Sequence, residues 1–410
     1  MRLQAGVDSK VTASSLNYEW RTKHGVPYLL PEKPMKLVLA VLLGVALCYL
    51  GFRYETLARY YELRGSAPDY IAYRLLTLPG EPGFTVHPNP AEPVEREPGD
   101  FVDTIQAALK AGHYAELDAM AATYRNPRAL FIGGVPKLER FYDALATFGP
   151  RSCGCGPGSI AAPQGFTDVE QRLEAWRRAN PASIAADLAL ANIWLASAWK
   201  VRGGGYDDTV TDAEWAEMGN RLSEAESYMI DPNPAKDPEV YYLWIEIGKL
   251  RSYDRARLDS LYQRAVAQFP DFYPYYPQRV SILETKWYGE PGELAGYLDE
   301  LRSPEHGDTG QVAYSFAASR VMGENDRGEL FSHIGLDFPS VIQAYQTRER
   351  LYGLRNHDWN AIFNMSIQAL DCQTGHVALV QIGDHWDKGI WGSRKCFTDT
   401  VAWLHAHSAY

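Results

Sequence analysis

The chain has 410 residues, of which 46% are hydrophobic and 22% are charged, and its formal net charge is −11. This length and apolar content suffice for one large or two ordinary folded domains. A negative net charge argues against a generally basic surface that binds phosphate backbones, so nucleic acid is not an expected partner.

The N-terminal part of the chain is predicted to hold a tail and a membrane segment. Residues 1–34 mix charged, aromatic and proline residues without periodicity and indicate a flexible tail. An uncharged apolar run then covers residues 37–52, between Lys36 and Arg53. A spanning helix needs about 20 apolar residues, with roughly 17 as the lower limit, so the run spans a bilayer only if both cations reach the interface. We therefore expect residues 35–53 to be a single-pass anchor in the lipid bilayer.

Two other interpretations of the apolar run stay open. Met35 followed by Lys36 and apolar residues also has the form of a secretory signal peptide, in which case Met1 is not the true start. The third interpretation is a buried core helix, because short apolar runs are often internal. Six Lys and Arg residues lie in residues 1–36 and four in residues 53–74. The positive-inside rule therefore favours a cytoplasmic N-terminus and the bulk of the chain outside the cytoplasm.

Residues 54–100 are predicted to join this run to a folded domain. Residues 54–78 place Tyr and Leu among charged residues and predict a juxtamembrane helix. Residues 79–100 contain six prolines among acidic residues. Prolines remove backbone donors and favour extended conformations, so this stretch is predicted to be a semi-rigid linker.

Residues 101–410 are predicted to form one helical domain, because helical periodicity continues without convincing strand alternation. Residues 101–111 and 114–124 predict a helical hairpin that is split by Gly112. A further helix is expected over residues 135–148.

The middle of this domain carries the clearest local signals. Thr167-x-x-Glu170 and Thr211-x-x-Glu214 have the pattern of capping boxes, which start helices by satisfying free backbone amides. Between them, residues 182–201 carry only two charges and are predicted to form a helix at the centre of the domain.

A degenerate repeat indicates how the helices are arranged. Helical hairpins that cannot bury their own apolar faces stack on their neighbours. In tetratricopeptide units, the second helix often ends with an aromatic residue, a small or apolar residue three positions later and a proline five positions after that. A similar spacing recurs at three places: Tyr142, Leu145 and Pro150; Leu173, Trp176 and Pro181; Tyr262, Ala265 and Pro270. The predicted fold is all-α, an irregular tetratricopeptide-like stack of helical hairpins that is preceded by a single membrane helix.

The stretch RGGGYDDTVTDAEW, residues 202–215, and the sequence NPASIAADLALANIWLASAW before it resemble an uncharacterised bacterial family. This family is domain of unknown function 4034 (DUF4034), which is itself similar to tetratricopeptide-like helical proteins. The resemblance covers about residues 141–261. It implies a helical fold and a bacterial origin, and it brings no catalytic residues. Together with the apolar run, it predicts an inner-membrane protein with a periplasmic domain.

The cysteines and histidines give little sign of metal chemistry. Cys372 and Cys396 are candidates for a disulfide, provided that the compartment is oxidising. The pair Cys153-x-Cys155 lacks the spacer of usual zinc ligands. His405-x-His407 has no third fixed ligand nearby in sequence. We therefore expect no metal site and no cofactor.

Four residues around the glycine turn are the candidate partner-binding residues: Trp199, Arg202, Tyr206 and Trp215. Trp, Tyr and Arg dominate binding energy at protein interfaces, although these tryptophans also suit an inter-helix core. Because no nucleophile, metal or phosphate motif is recognised, the predicted function is a membrane-anchored scaffold for a protein or peptide partner, without catalysis. The alternatives are an envelope hydrolase with an unrecognised site and an immunity or adaptor protein for a secreted effector.

Overall fold

The computed structural model describes residues 84–92, 94–146, 158–205, 207–232, 236–324, 330–331 and 334–407. The predicted tail, membrane run and juxtamembrane helix lie outside these residues, as do Cys153, Cys155 and Tyr206. Within them the secondary structure is almost entirely helical, which confirms the predicted all-α class.

Helices make up both halves of the described chain. The first half holds α1 (Phe101–Ala111), α2 (Tyr114–Tyr124), α3 (Lys137–Leu145), α4 (Phe166–Ala179), α5 (Ile184–Arg202), α6 (Asp212–Ser227), α7 (Glu239–Leu250) and α8 (Arg255–Gln268). The second half holds α9 (Tyr275–Leu283), α10 (Glu293–Leu301), α11 (Gly307–Glu324), α12 (Phe338–Tyr352), α13 (Asn356–Gln368), α14 (Cys372–Ile382), α15 (Lys388–Trp391) and α16 (Arg394–His407). Short 3₁₀ turns lie at Asp207–Thr209 and Pro304–His306.

A small antiparallel hairpin interrupts the helices and pairs β1 (Leu130–Phe131) with β2 (Val135–Pro136). The prediction of a helix from residue 135 is therefore wrong at its start, because α3 begins only at Lys137. Pro136 has an extended backbone, with a ψ of 128°, and supplies the N-cap position of α3. The predicted end of that helix lies outside the described residues.

The helical hairpin of α1 and α2 has the bounds that the sequence predicts. Gly112 adopts a left-handed conformation with a φ of +73°, which glycine reaches without a steric penalty. The amide of His113 then donates to the carbonyl of Ala108 at 2.9 Å and closes the turn. The left-handed conformation at this position favours glycine, so Gly112 in the sequence is sufficient to place this turn.

The central helix of the domain is α5, as the apolar stretch predicts. Its side chains are buried on all sides, and it packs against α4, α6 and α7. The Ser183 hydroxyl accepts from the amide of Ala186 at 3.1 Å, so the helix begins at Ile184, two residues after the predicted start at residue 182. Among the described residues, α5 alone is long and apolar enough to cross a membrane, and 78% of that apolar stretch is buried inside the structure. This burial is that of a core helix.

The two predicted capping boxes differ in outcome. The Thr211 box is confirmed, since its hydroxyl accepts from the Glu214 amide at 3.3 Å and the Glu214 carboxylate accepts from the Thr211 amide at 2.8 Å. The Thr167 box is wrong. Gly165, with a φ of +82°, is the N-cap of α4, so the helix starts at Phe166 and Thr167 already lies in the first turn.

Residues 84–92, within the stretch predicted as a linker, pack against the helical domain. The Phe84 side chain is buried, and its ring lies edge-on to Trp359 at 5.1 Å. The amides of Ala91 and Glu92 donate to backbone carbonyls at the end of α12, at 2.8 and 2.9 Å. This stretch is therefore part of the folded domain.

A closed ion network, defined as Arg348, Arg355 and Asp358, joins α12 and α13 to the β-hairpin. Arg348 and Asp358 are 0% and 1% exposed and lie 3.1 Å apart. Arg355 donates from Nε and Nη2 to the two Asp358 oxygens, at 3.0 Å each. Arg348 also donates from Nε to the carbonyl of Gly133 at 2.8 Å, so the hairpin turn is held by the same network.

Candidate functional site

The C-terminal turn of α5 places Trp199 and Arg202 three residues apart, on one face of the helix. Gly203 follows with a φ of +69° and ends the helix there. Arg202 turns back over this end and donates from Nη1 to the carbonyls of Gly203 and Gly205, at 3.2 and 3.1 Å. Its guanidinium carbon lies 5.8 Å from the centre of the Trp199 ring.

Two residues from distant parts of the chain complete the site. Trp287, from the segment between α9 and α10, meets Trp199 edge-on with ring centres 6.1 Å apart. Lys249, from the end of α7, places Nζ 5.0 Å from the Trp199 ring and 5.2 Å from the Trp287 ring. Arg202 lies 5.1 Å from the Trp287 ring. We name Trp199, Arg202, Lys249 and Trp287 the cation–aromatic cluster.

Polar side chains beneath the cluster hold the Lys249 charge. Lys249 donates to Glu246 at 3.1 Å and to the Ser281 hydroxyl at 3.0 Å. Both ions of this pair are only 5% exposed. Gln278 donates to the same Glu246 oxygen at 3.2 Å. Because a buried charge without its partner costs about 3–5 kcal/mol, these contacts fix the base of the cluster rigidly.

The cluster is buried on one side and reachable on the other. Trp199 is 3% exposed, whereas Arg202 and Trp287 are half-buried. Within the described residues, the Trp199 Nε1 and Arg202 Nε donors are buried from solvent and have no hydrogen-bond partner. A cation beside an aromatic face contributes about 0.5–2 kcal/mol, more when water is excluded. On the reachable side, the half-buried Arg202 and Trp287 side chains can offer N–H groups on the terminal guanidinium nitrogens and aromatic surface to a bound group.

The predicted partner-binding residues have separate outcomes. Trp199 and Arg202 lie together, with the guanidinium 5.8 Å from the Trp199 ring centre, but Trp199 forms the buried floor of the cluster and is not an exposed anchor. Trp215 is 36% exposed near the start of α6. Tyr206 lies outside the described residues. Lys249 and Trp287 are not among the residues predicted from the sequence. The one signal for Lys249 was its i, i+3 spacing from Glu246 inside the apolar helix α7.

The predicted disulfide is not formed in the structure. Cys372 and Cys396 are half-buried thiols, and the Cys372 sulfur lies 3.9 Å from the carbonyl of His407. The His407 ring stacks on Trp403 at 4.4 Å. The described residues contain no group of three His, Cys, Asp or Glu side chains that could hold a metal ion.

The central region of the chain matches a known family model. Neither the curated proteins nor the solved structures include a match to the chain. One family model, described as a domain of unknown function, matches from within α1 to the end region of α6. It starts and ends earlier than the resemblance read from the sequence. Residues 105–225 thus match the family DUF4034, which confirms the resemblance to this family.

Proposed function

We propose that the protein is a membrane-anchored, tetratricopeptide-like helical scaffold that binds a protein or peptide partner at the cation–aromatic cluster. The observation that carries this proposal is the pairing of a rigid, buried base with two half-buried side chains, Arg202 and Trp287. Trp and Arg are enriched among the residues that dominate interface energies. A base that is already ordered also lowers the entropic cost of binding.

The chemistry of the cluster indicates what the partner supplies. The half-buried side offers hydrogen-bond donors on Arg202, and the guanidinium fork suits carboxylate or carbonyl oxygens. The indole of Trp287 offers an apolar face. The partner segment is therefore expected to combine an acceptor group, such as Asp, Glu or a backbone carbonyl, with an apolar side chain.

The burial of the repeat-like positions supports a tetratricopeptide-like stack. Tyr142, Leu145, Leu173, Trp176 and Ala265 are all 0% exposed, as packing positions between stacked hairpins require. Consecutive helices pack most extensively as the pairs α5 with α6, α11 with α12, and α13 with α14. A scaffold of such pairs presents side chains from several helices on one surface.

Membrane attachment is proposed from the sequence of residues 37–52 and their flanking cations. The asymmetry of Lys and Arg around this run favours an inner-membrane anchor with the helical domain in the periplasm. The full chain expressed from Met1 is expected to sediment with membranes and to resist carbonate extraction. Recovery of the chain in the soluble fraction would contradict the anchor. It would not contradict partner binding at the cluster.

Affinity purification of the full chain from its native membranes, followed by quantitative mass spectrometry, tests partner binding. For the double variant Arg202→Ala with Trp287→Ala, the recovered amount of one defined partner is expected to fall at least about tenfold below that of the wild type. The matched control combines Arg178→Ala with Val380→Ala, whose side chains are 69% and 77% exposed on α4 and α14. Equal recovery of every associated protein by both variants would refute binding at the cluster.

A further inference from the structure

A cavity of about 420 Å³ lies apart from the cation–aromatic cluster, between the end of α2, the β-hairpin, the start of α7 and the segment after α8. Its volume falls in the range of roughly 300–1,000 Å³ that small-molecule sites occupy. None of the cluster residues lines it. The cavity is therefore a second concave site, which the proposed function does not use.

One wall of the cavity holds an oriented guanidinium. Arg125 lines the cavity with a quarter of its side chain exposed, and its Nε donates to the buried carboxylate of Asp237 at 2.6 Å. The Tyr142 hydroxyl donates to the same Asp237 oxygen at 2.9 Å. Burial acts to lower the pKa of Arg125, but Asp237 and Tyr142 outweigh this and raise the pKa above its ordinary value. The side chain therefore stays charged and fixed in direction.

The guanidinium has donors to spare. It carries five N–H groups, and the contact with Asp237 uses the one on Nε. A second N–H bonds to Tyr142, which leaves three on a side chain that lines the cavity. A planar fork with fixed orientation suits two oxygens of one carboxylate.

The rest of the lining is largely apolar. The lining residues Leu130, Leu138 and Phe272 are at most 6% exposed, and Phe269, which also lines the cavity, is half-buried. Four prolines also line it, and proline has no backbone N–H to offer. A ligand that fits would have an apolar body and a single polar head near Arg125. We propose that this cavity binds a small apolar carboxylate, with the carboxylate on Arg125 and the apolar body against these walls.

Asp271 is the other charged residue of the lining and sets the competing ligand class. Its carboxylate is contacted by the Thr309 hydroxyl at 3.4 Å, a weaker restraint than the one on Arg125. An apolar ammonium would pair with Asp271, and an apolar carboxylate with Arg125. The two classes carry opposite charges, so matched probes distinguish them.

Calorimetry on the full chain in amphipol tests the proposal with phenylbutyrate, phenylbutyramide and phenylbutylamine. Phenylbutyrate is expected to bind at least about tenfold more tightly than the amide, because it alone makes a charge-assisted contact with Arg125. Acetyl-Gly-Phe with a free carboxylate, compared with its C-terminal amide, shows whether a peptide terminus is also accepted. Tighter binding of the amine, equal binding of acid and amide, or no binding of any probe would overturn the proposal.

Two variants locate the binding. Ala129→Trp fills the cavity and is expected to abolish binding, whereas Ala122→Trp, on the exposed face of α2, is the matched control. Arg125→Gln is expected to remove the preference for acid over amide, and thermal melting checks that it folds. If Ala129→Trp binds phenylbutyrate as well as the control does, the cavity is not the site. The variant Arg202→Ala with Trp287→Ala should bind normally, so this outcome is independent of the partner site.

Discussion

The closed ion network and the cation–aromatic cluster are both built around buried cations, but they differ in how their donors are used. In the network, Arg348 is 0% exposed and is held by Asp358 and by the carbonyl of Gly133. In the cluster, Lys249 is similarly enclosed, yet Arg202 is half-buried and donates from Nη1 to the carbonyls that follow α5, at the edge of the cluster. A buried cation whose partners are internal stabilises the fold, whereas a reachable donor over a rigid base is suited to binding.

The largest effect is expected from breaking the closed ion network. Asp358→Asn leaves Arg348 buried without its counter-charge, which should lower the free energy of unfolding by about 3–5 kcal/mol. Asp168→Asn, which removes an exposed partner of Arg172, is the matched control and should change little. Chemical denaturation measures both variants. Similar stabilities of the two would show that the network is not the structural element we describe.

A side chain at Gly134 should destabilise the hairpin turn that this network holds. Its φ is +68°, and a Cβ there would lie 2.9 Å from the Tyr352 ring. Gly134→Ala is therefore expected to cost about 1–3 kcal/mol, from backbone strain together with the steric clash. Gly383→Ala is the control, since Gly383 has a φ of +55° and open space around it. The denaturation midpoint should fall further below the wild-type value for Gly134→Ala than for Gly383→Ala. Equal midpoints of the two variants would show that the close contact with Tyr352 does not contribute.

Acid should weaken the network in a defined direction. Burial acts to raise the pKa of Asp358, but the charges of Arg348 and Arg355 outweigh it and hold the pKa well below its usual range. The resulting stabilisation is complete above the unfolded-state pKa of about 3.9 and is lost as the pH falls below it. Unfolding free energies measured from pH 6 downwards should show this loss in the wild type. A variant Asp358→Asn with the same slope would contradict the assignment.

The smallest change in stability is expected at the cluster. Arg202→Ala removes a half-buried cation from two indole rings and should lower the free energy of unfolding by only about 0.5–1 kcal/mol. Partner binding should nevertheless fall, because the lost side chain carries the reachable donors. Denaturation and partner recovery are measured on the same preparation. If Arg202→Ala unfolds much more easily than the wild type and still binds the partner, the cluster stabilises the fold and does not serve binding.

The parts of the fold that are set by residues close together in the sequence can be predicted from it. The hairpin of α1 and α2 is placed by Gly112, and the Thr211 capping box by two side chains three residues apart. The Thr167 box fails for an equally local reason, because Gly165 starts the helix earlier. The β-hairpin was missed since each strand has only two residues, too few for an alternating pattern.

The site could be predicted only in part, because its residues come from three separate segments. Trp199 and Arg202 share one turn of α5, so their proximity follows from helical spacing. Trp287 meets them only after α7 and α9 have packed, and nothing in its own surroundings in the sequence indicates this. The burial of Trp199 is likewise a property of the whole helical assembly.

Site-specific photocrosslinking in native membranes tests the central claim most directly. A photoreactive residue is placed at Lys286, which is 43% exposed next to Trp287, and in a second chain at Val380, which is 77% exposed on α14. We expect one defined adduct from position 286 that is lost in the Arg202→Ala background, and no such adduct from position 380. An adduct at 286 that is unaffected by Arg202→Ala, or the same adducts from both positions, would contradict partner binding at the cation–aromatic cluster.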